Sequence, residues 1–327
     1  MKPLFIQGIH YFFLLIMLIN WPKRKPDYPN QLVFVSLRDK IFKIIPMTYL
    51  KKPEWLKIRL HSEKEFANVN QVIKQHGLHT ICTSGRCPNL SECWSRGTAT
   101  LMILGEVCTR SCKFCNTLTG RPLPLDPTEP KKVAESILLM KLQHAVITSV
   151  DRDDLIDGGA AAWAETIREV KILNPQTTLE VLIPDFDGNT DLIDLIINEK
   201  PNIISHNLET VRSLTPQIRT KAKYDTSLKV LEHIASRGIE AKTGIMLGLG
   251  ETEEEVLTLM DDALAHGCTI LTIGQYMQPS RKNVVVSAYI TPEKFEEYKQ
   301  IALNKGFRQV ESGPLVRSSY HAEKHIQ

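Results

Sequence analysis

Residues 98–116 read TATLMILGEVCTRSCKFCN. The run Thr98–Leu104 is β-rich and almost wholly apolar, and Gly105 bounds it, which is the pattern of a buried strand. Three cysteines follow at once: Cys108, Cys112 and Cys115, spaced x3 and x2. A strand that hands three thiols to the loop after it decides how the rest of the chain is read.

Downstream, strand and helix alternate. Further β-rich runs occur at His144–Val150, Thr178–Ile183, Asn202–His206, Ala241–Leu247 and Thr269–Tyr276. Amphipathic segments lie between them at about 128–141, 159–173, 189–199, 225–237 and 251–266. The last of these opens acidic and has Gly267 past its end, as suits a helix. Thr291-Pro292-Glu293 opens one more helix over 291–305 with a cap and a first-turn proline. Phe307–Glu311 reads as a further strand. Six successive β/α units imply an α/β fold with a parallel sheet, since parallel strands need crossover helices. Six are too few for a closed eight-fold barrel, so a three-quarter barrel and an open sheet both fit. In either, ligands gather at the C-terminal ends of the strands.

Upstream, residues 47–97 read as an N-terminal arm with one helix, Ser62–His76. The arm carries a second cysteine group, Cys82, Cys87 and Cys93, spaced x4 and x5. Residues 1–46 differ in kind. They hold seven basic residues against two acidic ones, a net of +5, whereas the whole chain is +3, so the remaining 281 residues carry −2. The basic balance is therefore no argument for nucleic acid. The run Ile9–Ile19 is apolar but only eleven residues long, far short of the roughly 20 that span a bilayer. Lys2 alone precedes it, and no small-x-small cleavage site follows. The expectation is an extension outside the folded domain, with Met47 as the working start.

The chain has 327 residues, 43% hydrophobic and 24% charged, which excludes a disordered chain and a polytopic membrane protein. Seven cysteines in that length argue against a disulfide-stapled secreted scaffold. Six of them fall between positions 82 and 115 as two triads. Thiolates select zinc or iron–sulfur clusters. Structural zinc wants four ligands, and no histidine lies near the second triad. Three cysteines on a cubane leave one iron open to a substrate or cofactor, and Phe114 offers that site an apolar shield. Cys268 stands alone in an apolar strand and reads as core.

The second triad resembles the CxxxCxxC motif of the radical S-adenosylmethionine (SAM) superfamily. The first triad, set in CTSGRCPNLSECWSRGTATLMILG, narrows the resemblance to the lipoyl synthase family. The near-terminal Arg317-Ser318-Ser319-Tyr320-His321 agrees, as do TSVDRDDLIDGGA, SHNLETV, GIMLGLGET and IGQYMQPS. The likeness spans roughly residues 50–322. It implies a partial (β/α)6 TIM-type barrel over 98–290, with the arm holding an auxiliary cluster and 291–327 adding a helix, a strand and the RSSY segment. It also implies two 4Fe–4S clusters. Cys108, Cys112 and Cys115 would hold the one whose open iron binds SAM and yields a 5′-deoxyadenosyl radical. Cys82, Cys87 and Cys93, with Ser319 as fourth ligand, would hold the one that gives sulfur to C6 and C8 of an octanoyl chain.

Thr148, Asn207 and Glu209, at strand ends facing the expected site, become the candidate SAM contacts. Ser149 is weighed beside them, against plain helix capping. The glycines of GIMLGLGE allow close approach to an adenine or merely mark a turn. Implied partners are octanoylated lipoyl domains of 2-oxoacid dehydrogenase E2 subunits, the glycine cleavage H protein, a one-electron donor such as ferredoxin or flavodoxin, and an iron–sulfur cluster carrier. No nucleic-acid partner is expected. Cluster chemistry places the chain in a reducing, cytoplasmic setting. Two features depart from the family: Glu106 where aspartate is usual, and the loose stretch SRKNVVVSAYITPEKF after the sixth strand. The competing readings are a methylthiotransferase acting on RNA or protein, and a two-cluster electron carrier. Deleting residues 1–46 should give a soluble protein of undiminished activity; an inactive product in a standard turnover assay would contradict the expected boundary.

Overall fold

The structure is a computed structural model and describes residues 50–57, 64–96 and 98–326. The extension over 1–46, its apolar run, the expected start at Met47 and the first two residues of the Ser62–His76 helix lie outside the described residues.

The strands run β1 (His79–Thr80), β2 (Thr100–Ile103), β3 (Val107–Cys108), β4 (Leu118–Thr119), β5 (His144–Ser149), β6 (Thr178–Leu182), β7 (Ile203–Ser205), β8 (Glu240–Leu247), β9 (Ile270–Gln275) and β10 (Gln309–Gly313). Eight of them form one sheet in the order β1-β2-β5-β6-β7-β8-β9-β10. Every pairing in it is parallel except β1 with β2. β1 and β10 are its edges, so the sheet is not closed among the described residues. The six expected strands are all present. The run at 307–311 becomes a seventh parallel strand, β10, beside β9. β1 was not foreseen: two residues carry no period, and the strand exists only because β2 lends it a partner.

Crossover helices α4 (Glu129–Met140), α5 (Ala160–Leu173), α6 (Thr190–Asn198), α8 (Tyr224–Ser236) and α9 (Glu253–Ala265) link these strands, with the short α7 (Thr215–Ile218) before α8. α10 (Pro292–Lys305) leads into β10, and the arm contributes α1 (Lys64–Gln75), α2 (Ile81–Ser84) and α3 (Leu90–Ser95). The ends follow the caps in the sequence. Thr252 and Glu255 form a reciprocal capping box on α9. Thr291 caps α10, Pro292 starts it, and Gly306 ends it at φ +119°. Strands β2, β5, β6, β7, β8 and β9 are buried almost throughout, on both faces, as parallel strands under helices must be. Ile103, Ile147, Trp163, Ile167, Ile196 and Leu231 are each 0% exposed. Cys268 is core, as expected, its thiol donating to the carbonyls of Ala241 and Ile270.

The sheet interior also holds charge. Lys242 on β8 donates to both oxygens of Glu180 on β6, at 2.7 and 2.9 Å, and to Nδ1 of His325 at 3.1 Å. Ser205 donates to the same Glu180 at 2.9 Å. All four side chains are buried. Burial works against both ions: it lowers the Lys242 ammonium and would raise the Glu180 carboxyl, yet Lys242 and His325 hold Glu180 below the ordinary carboxylate range. Removing one member of such a pair strands the other, at a cost of about 3–5 kcal/mol. Lys242→Met should therefore lower stability by about that much in urea unfolding, while adding Glu180→Gln should restore a good part of it. A double variant no better than the single would show that the loss is one of packing alone.

Candidate functional site

A cavity of about 700 Å³ opens at the C-terminal ends of the parallel strands. Cys108, Cys112 and Cys115 line it from one side, Cys82 and Cys87 from another, and Arg317, Ser318 and Ser319 of the tail from a third. Two cysteine groups and a segment more than 200 residues away thus meet on one space.

The second triad sits on a loop that is fixed at both ends. β3 and β4 pair across its base, Val107 with Leu118 and Cys108 with Thr119. Within it, Cys115 N–H donates to the carbonyl of Cys112 at 3.0 Å, and Lys113 N–H to that of Ile218 at 2.9 Å. The strongest restraint is Arg110, whose side chain is 5% exposed. Its guanidinium donates to Asp153 at 2.8 and 2.9 Å and to Asp185 at 2.8 Å, and lies 3.3 Å from Asp151. Charge-assisted bonds of this kind tie the loop to the ends of β5 and β6. Burial would raise Asp153, but bonds from Arg110 and Lys221 hold it well below the usual carboxylate range. Two backbone donors, the N–H groups of Arg110 and Asp151, point at the Cys108 sulfur from 3.4 Å each. Donors so placed offset part of the rise that burial and the Asp151 carboxylate impose on this thiol.

The first triad is carried by the arm. Thr80 caps α2, which bears Cys82, and Cys93 sits on α3. Cys87 N–H donates to the carbonyl of Cys82 at 2.9 Å. Cys93 is half-buried and stands behind the cavity wall, yet its thiol feels the charges of Cys82 and Cys87. The tail embraces this triad. Asn89 donates to the carbonyl of Leu315 at 2.7 Å, and Tyr320 to Glu92 at 3.1 Å. Thr100 donates to Ser319 at 2.7 Å and also bonds Cys82, so Ser319 lies one side chain from that sulfur. Arg317 lines the cavity near Cys87, its Nη1 donating to the carbonyls of Gln275 and Val316. His325 and its bond from Lys242 anchor the far end of the tail.

The donor set fits iron. Burial pushes the Cys82 thiol up to about 11 and the Cys108 thiol up to about 12. Burial, then repulsion from Cys82 and Cys87, pushes Cys93 up to about 12, and burial also raises Cys87 and Cys112. Burial favours the protonated thiols, so binding of a cation there releases protons. Among the described residues no three His, Cys, Asp or Glu side chains converge tightly enough to grip a single metal ion. A cubane needs something else: each thiolate binds a different iron, so the sulfurs stand apart around the cluster.

The expected SAM contacts are all on the cavity wall. Thr148 lines it while donating to the carbonyl of Leu182 at 3.1 Å, and Ser149 accepts from Trp163 Nε1 at 3.2 Å. Asn207 donates to Ser318 at 2.7 Å and to Glu209 at 3.2 Å, while its Oδ1 is buried with no partner. An orphaned buried acceptor asks for a donor from a ligand. Glu209 holds φ at +67°, and burial raises its carboxyl against the pull of Arg219. The glycines of GIMLGLGE divide in use. A Cβ at Gly244 would lie 2.9 Å from Asn207 Oδ1, so this glycine gives the wall its clearance, whereas Gly248 and Gly250 form a turn around the Glu251 carboxylate. Phe114 lines the cavity beside Tyr276. Glu106 faces a separate pocket of about 210 Å³, 3.8 Å from His79.

Sequence reading missed Arg110 and Arg219. Arg219 is 9% exposed, lines the cavity, donates to Ser227 at 2.9 Å and has no described carboxylate in ion-pair range. A buried guanidinium that feels the Glu209 carboxylate but makes no close ion pair with it keeps room for an anion. Arg110 could have been suspected from the aspartates of TSVDRDD; nothing near Arg219 in sequence points to it.

Comparison with known proteins identifies the family. The Radical SAM superfamily model matches residues 102–263. The lipoyl synthase of Parabacteroides distasonis is 68% identical over 278 residues, 85% of this chain and 99% of that one. That of Phocaeicola vulgatus is 64% identical over 281 residues, 86% and 99%. Among solved structures, Streptococcus suis SuiB bound to its precursor peptide SuiA superposes with a TM-score of 0.50 at 10% identity. That match covers 76% of this chain and 52% of SuiB, about half of its length, and shows the shared fold. With about two thirds of the aligned residues identical to curated relatives over nearly their whole length, the chain belongs to the lipoyl synthase family of the radical SAM superfamily.

Proposed function

We propose that the chain inserts two sulfur atoms, at C6 and C8, into an octanoyl group attached to a lysine of a lipoyl carrier domain, acting as a sulfurtransferase. One observation carries this reading: five of the six cysteines of the two triads line one cavity, with Cys93 close behind Cys82 and Cys87, and Ser319 stands beside Cys82 through Thr100. A single-cluster radical enzyme has no use for the second triad, and a simple electron carrier has no use for the cavity.

Cys108, Cys112 and Cys115 hold the 4Fe–4S cluster that binds SAM, and Cys82, Cys87, Cys93 and Ser319 hold the auxiliary one. When bound, SAM and the two clusters supply a 5′-deoxyadenosyl radical, able to take hydrogen from an unactivated carbon, and the sulfur that replaces it. The protein's own work is placement. Arg110 keeps the CxxxCxxC loop against β5 and β6. Arg219 pairs with the carboxylate of SAM, Glu209 and the free Oδ1 of Asn207 take its amino or hydroxyl donors, and Thr148 bounds its pocket. Phe114 and Tyr276 keep water from the reacting carbon. Ser319, a harder donor than thiolate, binds iron less firmly, which suits a cluster that is consumed. Octanoylated E2 lipoyl domains and the H protein are the substrates, a ferredoxin or flavodoxin supplies electrons, and a cluster carrier restores the auxiliary site, all in the cytoplasm.

Anaerobic reconstitution should give about eight iron atoms per chain, two four-iron clusters. Cys112→Ala should abolish SAM cleavage. Cys87→Ala and Ser319→Ala should keep measurable SAM cleavage while losing lipoyl product on an octanoylated carrier, followed by mass analysis. Lipoyl product persisting in Cys87→Ala would overturn the donor assignment.

A further inference from the structure

The cavity mouth is unevenly charged. On the β5–β6 side its carboxylates are answered: Asp153, Asp185 and Asp187 meet Arg110 and Lys221. On the side where both cysteine groups emerge the balance fails. Lys52, Arg86, Lys113, Arg281 and Lys282 are all exposed there, and none forms an ion pair with a described carboxylate. Four stretches bring them together: Lys52 and Arg86 both line the cavity, and hydrogen bonds tie the stretches bearing Arg86, Lys113, and Arg281 with Lys282 into one rim. Arg86 donates to the carbonyl of Pro279 at 3.1 Å. Asn283 donates to the carbonyls of Lys113 at 3.2 Å and Cys115 at 2.7 Å. Val284 N–H donates to Lys113 at 3.1 Å, and Asn116 to the carbonyl of Ser84 at 2.9 Å. The residues outside the N-terminal 46 carry a net −2, so five unanswered cations at one edge of the mouth are a local excess.

We infer that this basic crescent, formed by Lys52, Arg86, Lys113, Arg281 and Lys282, docks an acidic face of the protein domain that carries the acylated lysine. The inference rests on the function proposed above. An acylated lysine is a neutral amide on a flexible stem, and it gives the enzyme little charge to recognise. Selectivity for a whole domain must come from surface around that lysine, and this is the surface a domain meets when its lysine reaches into the cavity. Rim charges of this kind act mainly on encounter rate and are screened by salt. The unusual stretch from Ser280 onward, which the cluster chemistry leaves without a task, supplies two of the five cations.

The test is the double variant Arg281→Glu with Lys282→Glu, neither of which lines the cavity. On an octanoylated carrier domain at low salt, kcat/KM should fall about tenfold through KM, with the deficit shrinking as salt is raised. Turnover of a short octanoyl-lysine peptide and SAM cleavage without carrier should be unchanged, and the charge-keeping Arg281→Lys with Lys282→Arg should behave as the parent. An unchanged kcat/KM on the domain, or an equal fall on the peptide, would overturn the inference. Salt-sensitive binding of a single-stranded oligonucleotide, lost in the variant while domain kinetics stay intact, would overturn it in favour of a nucleic-acid surface. Direct binding of the octanoylated domain, read by fluorescence anisotropy, separates the two levels. Binding that the variant weakens, with no lipoyl product from the parent on either substrate, supports the crescent and rejects the proposed reaction.

Discussion

Strands that run the same way cannot be joined by tight turns, and that constraint orders everything else in this protein. Each connection from β2 through β10 must cross over, so every strand delivers its C-terminal end to the same edge of the sheet. The loops there can vary without disturbing the ladder. The cysteine loop, Asp151 and Asp153, Asp185, Asn207 with Glu209, and the glycine turn after β8 all occupy such ends. The cavity is a consequence of strand direction before it is a consequence of any one residue.

Direction alone leaves two faults, and the chain mends both with charge. A loop of a dozen residues carrying three thiols would move, so Arg110 clamps it to two neighbouring strands through Asp153 and Asp185. A sheet that is not closed among the described residues leaves part of its interior to be covered, and the C-terminal tail covers some of it. His325 is buried against Lys242 and Glu180, and between that anchor and β10 the tail presents Arg317 and Ser319 to the cavity. A buried ion pair is weak as a source of stability but strict about who may sit beside it. That strictness fixes where Ser319 can be.

Much of this was legible in the chain. Six strands and their helices followed from period and caps, because both are local: a buried parallel strand is a short apolar run, and a helix end is a hydrogen-bond count over four residues. The cysteine triads were legible for the same reason, each closing within a dozen residues. Thr148, Asn207 and Glu209 could be guessed from lying just past strand ends, although spacing gave no sign that Asn207 would keep an acceptor unpaired. β1 was illegible, since its partner and not its composition makes it a strand. Arg219 was illegible too. Its meaning lies in facing the cavity without a close ion pair among the described residues, which no local pattern encodes.

The sequence by itself therefore determined the parallel α/β architecture, the two thiol sets and the family, because these depend on contacts between near neighbours along the chain. Only the tertiary structure decided that the two sets share one cavity. It alone showed that Ser319 reaches Cys82 through Thr100 across 219 residues of separation, and that Lys242 must pair with Glu180 and hold His325. Those relations join side chains whose closeness follows from the packing of whole strands. The same holds for the basic crescent. Its cations are scattered among ordinary surface residues in the sequence, and become one surface only when the arm, the cluster loop and the segment after β9 are hydrogen-bonded into a single rim.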